Sequence, residues 1–168
     1  MNRLAIFSQK AKNQQLVAET LLENYDRYYR LAYSYVKNAA DAEDIVQNGA
    51  YQAILNSEKL LKREYVGTWL YRVMLNEIFK LLKRPGYVPL ECVPAEPGVE
   101  DRYENLDLQR AIAELSIEDQ AVLRLRYFEE LKISEIADVL GENVSTIKSR
   151  LYRATRKLKI SLTEEDIW

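Results

Sequence analysis

Five cations, Lys148, Arg150, Arg153, Arg156 and Lys157, fall within ten residues near the end of the chain. Between them stand Ile147, Leu151, Ala154 and Leu158, at steps of four, three and four, which is one apolar face of an α-helix. The chemistry available to such a helix is electrostatic. Its cations can neutralise phosphates, and arginine can donate two parallel hydrogen bonds to the edge of a guanine. From Asn143 to Thr163 there are six Lys or Arg and no Asp or Glu, in a chain whose net charge is -2. A helix face that merely meets water mixes its signs, whereas a stripe of one sign is what a polyanion selects.

The elements that must hold this helix lie just before it. The run Ile133 to Lys159 reads as a short helix, a tight turn and a second helix. Ser134 is expected to cap the first helix, and Ile136, Ala137, Val139 and Leu140 give it an apolar side. Gly141 ends it, since glycine tolerates the left-handed conformation of a helix stop. Ser145 is expected to cap the second helix. Ala137 and Gly141 are small where two helices cross closely. A helix-turn-helix of this kind lays its second helix in a DNA major groove. Upstream, Ser116 with Asp119 forms a capping signal ahead of Ala121, Val122, Leu123 and Leu125.

A second set of candidate residues lies in the first half. Three helical patterns are legible there. Leu16, Leu21, Leu22, Tyr25, Tyr28, Ala32, Tyr35 and Val36 form one. Ala42, Ile45, Val46, Gly49, Ala50, Ala53 and Ile54 form the next, after Asn38. Trp69, Leu70, Val73, Met74, Ile78, Leu81 and Leu82 form the third, with Thr68 as its expected cap. The third helix interleaves Trp69, Tyr71 and Phe79 with Arg72, Lys80, Lys83 and Arg84. Aromatics among cations suit single-stranded nucleic acid, because bases stack while cations neutralise phosphates. Trp69 and Val73 are expected to face the core. Asn76 does not favour a helix interior, yet its amide matches base edges. The preceding segment, Asn56 to Gly67, carries Lys59, Lys62, Arg63 and Tyr65. On the second helix Asp41, Asp44 and Gln47 share a face at i, i+3 and i+6. Acids in a first turn stabilise the helix dipole, but this acidic and amide face also suits a basic partner.

Charge and proline divide the chain. All four prolines lie between Pro85 and Pro97, and Pro85 to Asp107 holds 6 acidic residues against 1 basic. That stretch reads as an acidic linker. The expected architecture is all-α: two small helical domains, 13–84 and 108–161, joined by the Pro-containing linker 85–107, with the second domain a helix-turn-helix. No alternating strand pattern and no internal repeat appears. A single cysteine, Cys92, excludes an internal disulfide, and the absence of histidine removes the commonest general base and metal ligand. Asp41, Glu43 and Asp44 sit in one helical turn rather than converging from separate elements, which argues against a metal-dependent nuclease. No apolar run approaches a membrane span and no secretory signal is evident, so a cytoplasmic location without membrane insertion is expected. No catalytic residue, metal or cofactor is implied.

Taken together, these residues resemble a bacterial sigma factor of the extracytoplasmic-function (ECF) group. The resemblance rests on Asp41-Ala42-Glu43-Asp44-Ile45-Val46-Gln47, on Thr68-Trp69-Leu70-Tyr71-Arg72-Val73 through Asn76, on Leu115-Ser116 with Gln120-Ala121-Val122-Leu123, and on the helix-turn-helix ending Lys148-Ser149-Arg150-Leu151-Tyr152-Arg153-Ala154. It implies a partner, core RNA polymerase, met through the clamp helices of the largest subunit and through the flap. Asp41, Asp44 and Gln47 would meet the clamp helices. Promoter DNA would be held twice. Lys62, Arg63, Tyr65, Arg72, Asn76, Lys80 and Lys83 would open the -10 element and hold a flipped base. Ser145, Thr146, Lys148, Ser149, Tyr152 and Arg153 would meet the -35 element, with Arg150 and Arg156 on phosphates. The linker would pass through the polymerase's RNA-exit region, and an anti-sigma factor is an expected partner. One departure is visible: after Gln47 the family usually continues with Glu, a small or hydroxylated residue and an aromatic, where this chain has Asn48-Gly49-Ala50-Tyr51. A helix-turn-helix regulator with a helical sensing domain is the alternative; the helix-turn-helix fits it equally well, the aromatic-basic helix and the acidic linker less well.

Overall fold

The computed structural model describes residues 2–89 and 106–165, with side chains from 108 to 159 in the second stretch. Most of the linker expected over 85–107, including Cys92, and the end of the C-terminal tail lie outside the described residues. The chain divides into two compact units, Met1–Glu91 and Cys92–Trp168. Among the described residues regular structure is helical throughout.

The first unit is built from α1 (Arg3–Glu23), α2 (Tyr25–Val36), α3 (Ala39–Leu55) and α4 (Val66–Leu82). Helix α3 packs on both α2 and α4, and α1 crosses α3 and α4. The core is Val17, Leu31, Ala32, Val36, Ala42, Val46, Leu70, Met74 and Ile78. The first apolar pattern is therefore two helices rather than one. Asn24 breaks it: its side-chain amide donates to the Thr20 carbonyl at 3.0 Å, beside the bond from its own backbone N–H. Side chains that compete locally for backbone groups interrupt helices in this way. Helix α1 also begins ten residues earlier than the expected boundary at Asn13, capped by Asn2. The start of α3 is fixed by Asn38, whose Oδ1 accepts from Ala40 N–H at 2.8 Å and Asp41 N–H at 3.2 Å.

Between α3 and α4 run two short 3-10 turns, Ser57–Lys59 and Arg63–Tyr65. The second leads straight into α4, so Thr68 lies inside the helix and caps nothing; Val66 N–H instead bonds back to the Arg63 carbonyl. Asn13 pins the first turn. This buried side chain donates through Nδ2 to the Ser57 carbonyl at 3.0 Å and the Leu60 carbonyl at 3.2 Å.

The second unit holds α5 (Leu106–Ala113), α6 (Ile117–Leu123), a π turn over Arg124–Phe128, α7 (Ile133–Leu140) and α8 (Val144–Glu165). Helices α5, α6 and α7 all pack on α8. Leu115, Leu123 and Ala154 form a small core, with Leu151 and Leu158 against it. Ile147 is fully buried as well, so the apolar spacing read in α8 is the packed face. Ser116 caps α6 as expected, its Oγ accepting from Asp119 N–H at 3.2 Å. Gly141 ends α7 at φ 67°, a conformation that costs glycine little.

Two expected caps move. Helix α7 starts at Ile133, and it is Glu135 that reaches back to the Lys132 N–H at 3.1 Å, not Ser134. Helix α8 is capped by Asn143 rather than Ser145. Asn143 Oδ1 accepts from Thr146 N–H at 2.8 Å and from the Ser145 hydroxyl at 2.9 Å.

Candidate nucleic-acid interface

The exposed side of α4 carries Arg72, Asn76, Lys80 and Lys83 in a single stripe, because steps of four, four and three residues stay on one helical face. The opposite side buries Leu70, Tyr71, Met74, Leu75 and Ile78. Tyr71 is thus a core residue, edge-on to Tyr28 with ring centroids 5.4 Å apart, and offers nothing to a base. Trp69 and Val73 reverse the expectation in the other direction. They are half-buried and line an open groove of about 490 Å³, together with Gln52, Asn56, Lys59, Arg72, Asn76 and Glu77.

This groove joins α4 to the end of α3 and to the first 3-10 turn. Its wall is mixed: one indole, two cations, one carboxylate and three amides. An indole face with amides around it can take a planar, hydrogen-bonding ligand, and the cations can meet an anion at the rim. Arg72 and Asn76 are the two residues expected from sequence that the groove brings together. Asn56 and Lys59 belong to the basic segment Asn56 to Gly67 read from the sequence, whereas nothing in the spacing of α3 marks Gln52, in its last turn, as facing α4. Asn56 is held there by its Nδ2, 2.9 Å from the Gln52 carbonyl. Lys62, Arg63 and Tyr65 lie on the approach to α4, exposed and outside the groove wall. The Lys62 ammonium sits 5.8 Å from the centre of the Tyr65 ring, and the Lys83 ammonium 5.6 Å from that of Phe79.

On α3, Asp44 and Gln47 are exposed while Asp41 is half-buried. The Tyr87 hydroxyl donates to Asp41 Oδ2 at 2.9 Å. Burial first, then this hydrogen bond and the Asp41 charge, push the Tyr87 phenol up to about 12. Sequence gave no sign of that pair, which spans 46 residues. Gly49 faces the other way. It is buried, and a Cβ there would stand 2.5 Å from Met74 Sδ. The departure at Asn48-Gly49-Ala50 is therefore a close approach between α3 and α4, away from the exposed Asp44 and Gln47.

Helix α8 presents Ser145, Lys148, Ser149, Tyr152, Arg153 and Arg156 to solvent, with Thr146 half-buried. Tyr152 is 71% exposed, so its ring and hydroxyl are open to a partner. The Ser149 hydroxyl donates back to the Ser145 carbonyl at 3.0 Å. Arg150, expected on a phosphate, is half-buried in the free protein. It turns inward, with Nη2 at 3.1 Å from Glu142 Oε1 and Nη1 at 3.7 Å from Asp119 Oδ1. Arg153 Nη2 reaches the same Asp119 oxygen at 3.3 Å. Among the described residues no three Asp, Glu, Cys or His side chains gather as a metal-binding group, and no helix is long and apolar enough to cross a membrane.

The described residues thus form one helical unit with an aromatic-amide groove and a cationic stripe, and a second helical unit with a cationic helix-turn-helix. Known proteins narrow this. The model of sigma-70 region 2 matches residues 21–86, and that of sigma-70 region 4 matches residues 105–158. The RNA polymerase sigma factor SigV of Bacillus subtilis is 35% identical over 162 residues, covering 94% of this chain and 98% of that protein. The ECF RNA polymerase sigma factor SigW of the same organism is 28% identical, covering 83% and 84%. Two solved structures share the fold: the sigma factor RpoE in complex with the anti-sigma factor NepR from Bartonella quintana, and CnrH in complex with the cytosolic domain of CnrY. The first has a TM-score of 0.70 at 22% identity over 87% of this chain and 96% of that one; the second, 0.69 at 21% over 96% and 97%. The chain belongs to the ECF group of the sigma-70 family of RNA polymerase sigma factors. Such proteins are transcription initiation factors rather than enzymes.

Proposed function

We propose that this sigma factor binds core RNA polymerase through α3 and directs it to promoters by two separate grips on DNA. The first unit (expected over 13–84) takes the -10 element, the second (108–161) the -35 element, and the acidic segment 85–107 tethers them. The observation that carries this reading is the groove uniting Trp69, Arg72 and Asn76 with Gln52, Asn56 and Lys59. A duplex has no use for a recess beside an indole; an extruded base does.

In this reading Asp44, Gln47 and Asp41 meet the clamp helices of the largest subunit, and the second unit meets the flap. Arg72 and Asn76 hold a flipped base, while Lys62, Arg63, Tyr65, Lys80 and Lys83 track the adjoining strand. On α8, Ser145, Thr146, Lys148, Ser149, Tyr152 and Arg153 face the major groove, Arg156 takes a phosphate, and Arg150 braces the helix from within. No covalent step is supplied. Extruding a base costs a few kcal/mol, which contacts to the unpaired strand offset. Neither grip binds tightly alone; holding both on one polymerase raises the effective concentration of each at its element. The protein works in the cytoplasm, and an anti-sigma factor restrains it, as the anti-sigma factor NepR bound to the Bartonella quintana neighbour suggests.

The test separates the surfaces. Asp44→Arg with Gln47→Ala is expected to abolish co-purification with core polymerase. Arg153→Ala is expected to leave co-purification intact and weaken promoter-directed transcription. Equal loss of both activities in Arg153→Ala would refute the division of labour.

A further inference from the structure

Asp119 is the least expected member of the α8 surroundings. It stands in the first turn of α6, 34 residues before Arg153, and its side chain is only 3% exposed. A carboxylate so far from water is stable only if paired, and two guanidiniums converge on its Oδ1. The two are not equivalent. Arg150 is 24% exposed, and its other nitrogen is taken by Glu142 across the turn before α8, so both ends of that guanidinium are occupied. Arg153 is 56% exposed and spends one nitrogen, Nη2, on Asp119. A guanidinium has five donors in a rigid plane, so tying one corner fixes the direction of the rest.

We infer that Asp119 is a specificity-positioning residue: by holding one corner of Arg153, it aims the remaining donors of that guanidinium at one site on the upstream duplex. Glu142 serves this arrangement indirectly. It balances Arg150, which leaves the Asp119 charge for Arg153. The energetic logic is preorganisation. An arginine already held in one rotamer surrenders little freedom when it meets a base, whereas a free one finds phosphates on any sequence. The inference rests on the reading of α8 as the -35 helix, and deepens it by assigning part of the base choice to a residue that touches no DNA.

The experiment uses the full chain with core polymerase and a template library randomised across the upstream element, with base preference at each position read from sequenced run-off transcripts. Arg153→Ala locates the positions that Arg153 governs. Asp119→Asn removes the charge at nearly constant shape. It is expected to lose about tenfold in preference at the same one or two positions, with the other positions unchanged. The double variant is expected to lose no more than Arg153→Ala alone. In parallel, promoter binding by Asp119→Asn should become more salt-dependent by about one phosphate, as the released guanidinium moves to the backbone. A uniform flattening across all positions would mean that Asp119 only supports the fold. Undiminished preference, or loss at positions that Arg153→Ala leaves alone, would also overturn the inference. If Asp119→Asn does not fold, as judged by circular dichroism, Asp119→Glu keeps the charge but displaces it, and the same position-confined loss is expected. A wild-type protein without any upstream preference would instead refute the reading of α8 itself.

Discussion

Replacing Gly49 by alanine tests how the two helices that flank the groove are held. Two opposing effects act on this one methyl group. Alanine in a helix interior is favoured over glycine by about 1 kcal/mol. Against that, the new Cβ would stand 2.5 Å from Met74 Sδ and 3.1 Å from its Cε. Met74 is 1% exposed, enclosed by the core, and cannot swing aside without displacing neighbours. Overpacking of this kind costs about 1–3 kcal/mol. Gly49→Ala is therefore expected to destabilise the first unit by about 1 kcal/mol net of the two effects. The sign should reverse in a Met74→Val background. Valine keeps the atoms out to Cγ, and Met74 Cγ lies 3.8 Å from the added Cβ, an ordinary contact. There the helix preference acts alone, and Gly49→Ala should stabilise by about 1 kcal/mol, a coupling of about 2 kcal/mol between the positions. Urea unfolding followed by Trp69 fluorescence in a Trp168→Phe background reads the first unit by itself, since the chain has two tryptophans. Equal stabilisation by Gly49→Ala in both backgrounds would refute the argument. Affinity for core polymerase should not change, because the glycine faces α4 and not the exposed side with Asp44 and Gln47.

Three further outcomes follow from the same geometry. Asn13→Ala removes two hydrogen bonds that pin the turn bearing Lys59; it should cost about 2 kcal/mol and slow promoter opening without altering upstream recognition, as measured by unfolding and by a fluorescent base in the -10 strand. Tyr87, whose phenol is raised to about 12, keeps its proton in the folded protein while an unfolded tyrosine loses its own near 10. The folded state thus holds more protons between those values, stability falls as pH rises through that window, and the fall should be smaller in Tyr87→Phe; parallel melting-temperature profiles for the two proteins would contradict the contact. Asn76→Ala should slow opening about tenfold while leaving binding to an upstream duplex unchanged, and a normal opening rate would remove Asn76 from the base-holding groove.

The sequence made the helix-turn-helix legible because its signals are local. Gly141 stops one helix, and Ile147, Leu151 and Ala154 mark the packed face of the next. The caps were harder for an equally local reason. Asn143, Ser145 and Thr146 offer three side chains able to cap α8, and only the path of the backbone selects Asn143. In α4 the aromatics misled. Trp69 and Tyr71 both fit a helix that buries one side, and the choice between them depends on Tyr28, 43 residues earlier, whose ring meets that of Tyr71. The features that shape the sites are pairs distant in sequence: Asp119 with Arg153, Tyr87 with Asp41, Gly49 with Met74. No periodicity announces such pairs. Gly49 is the clearest case, since along the chain it is a helix weakness and in the fold it is the space that Met74 occupies.

A sigma factor gives core RNA polymerase its choice of start sites. The most direct measurement is run-off transcription of a genomic fragment library by purified core polymerase with and without the chain, with the 5′ ends sequenced. The expected result is a new set of start sites sharing two upstream elements at fixed spacing, lost in Asn76→Ala, Arg153→Ala double variants that still bind the polymerase. Start sites indistinguishable from those of core polymerase alone would contradict it.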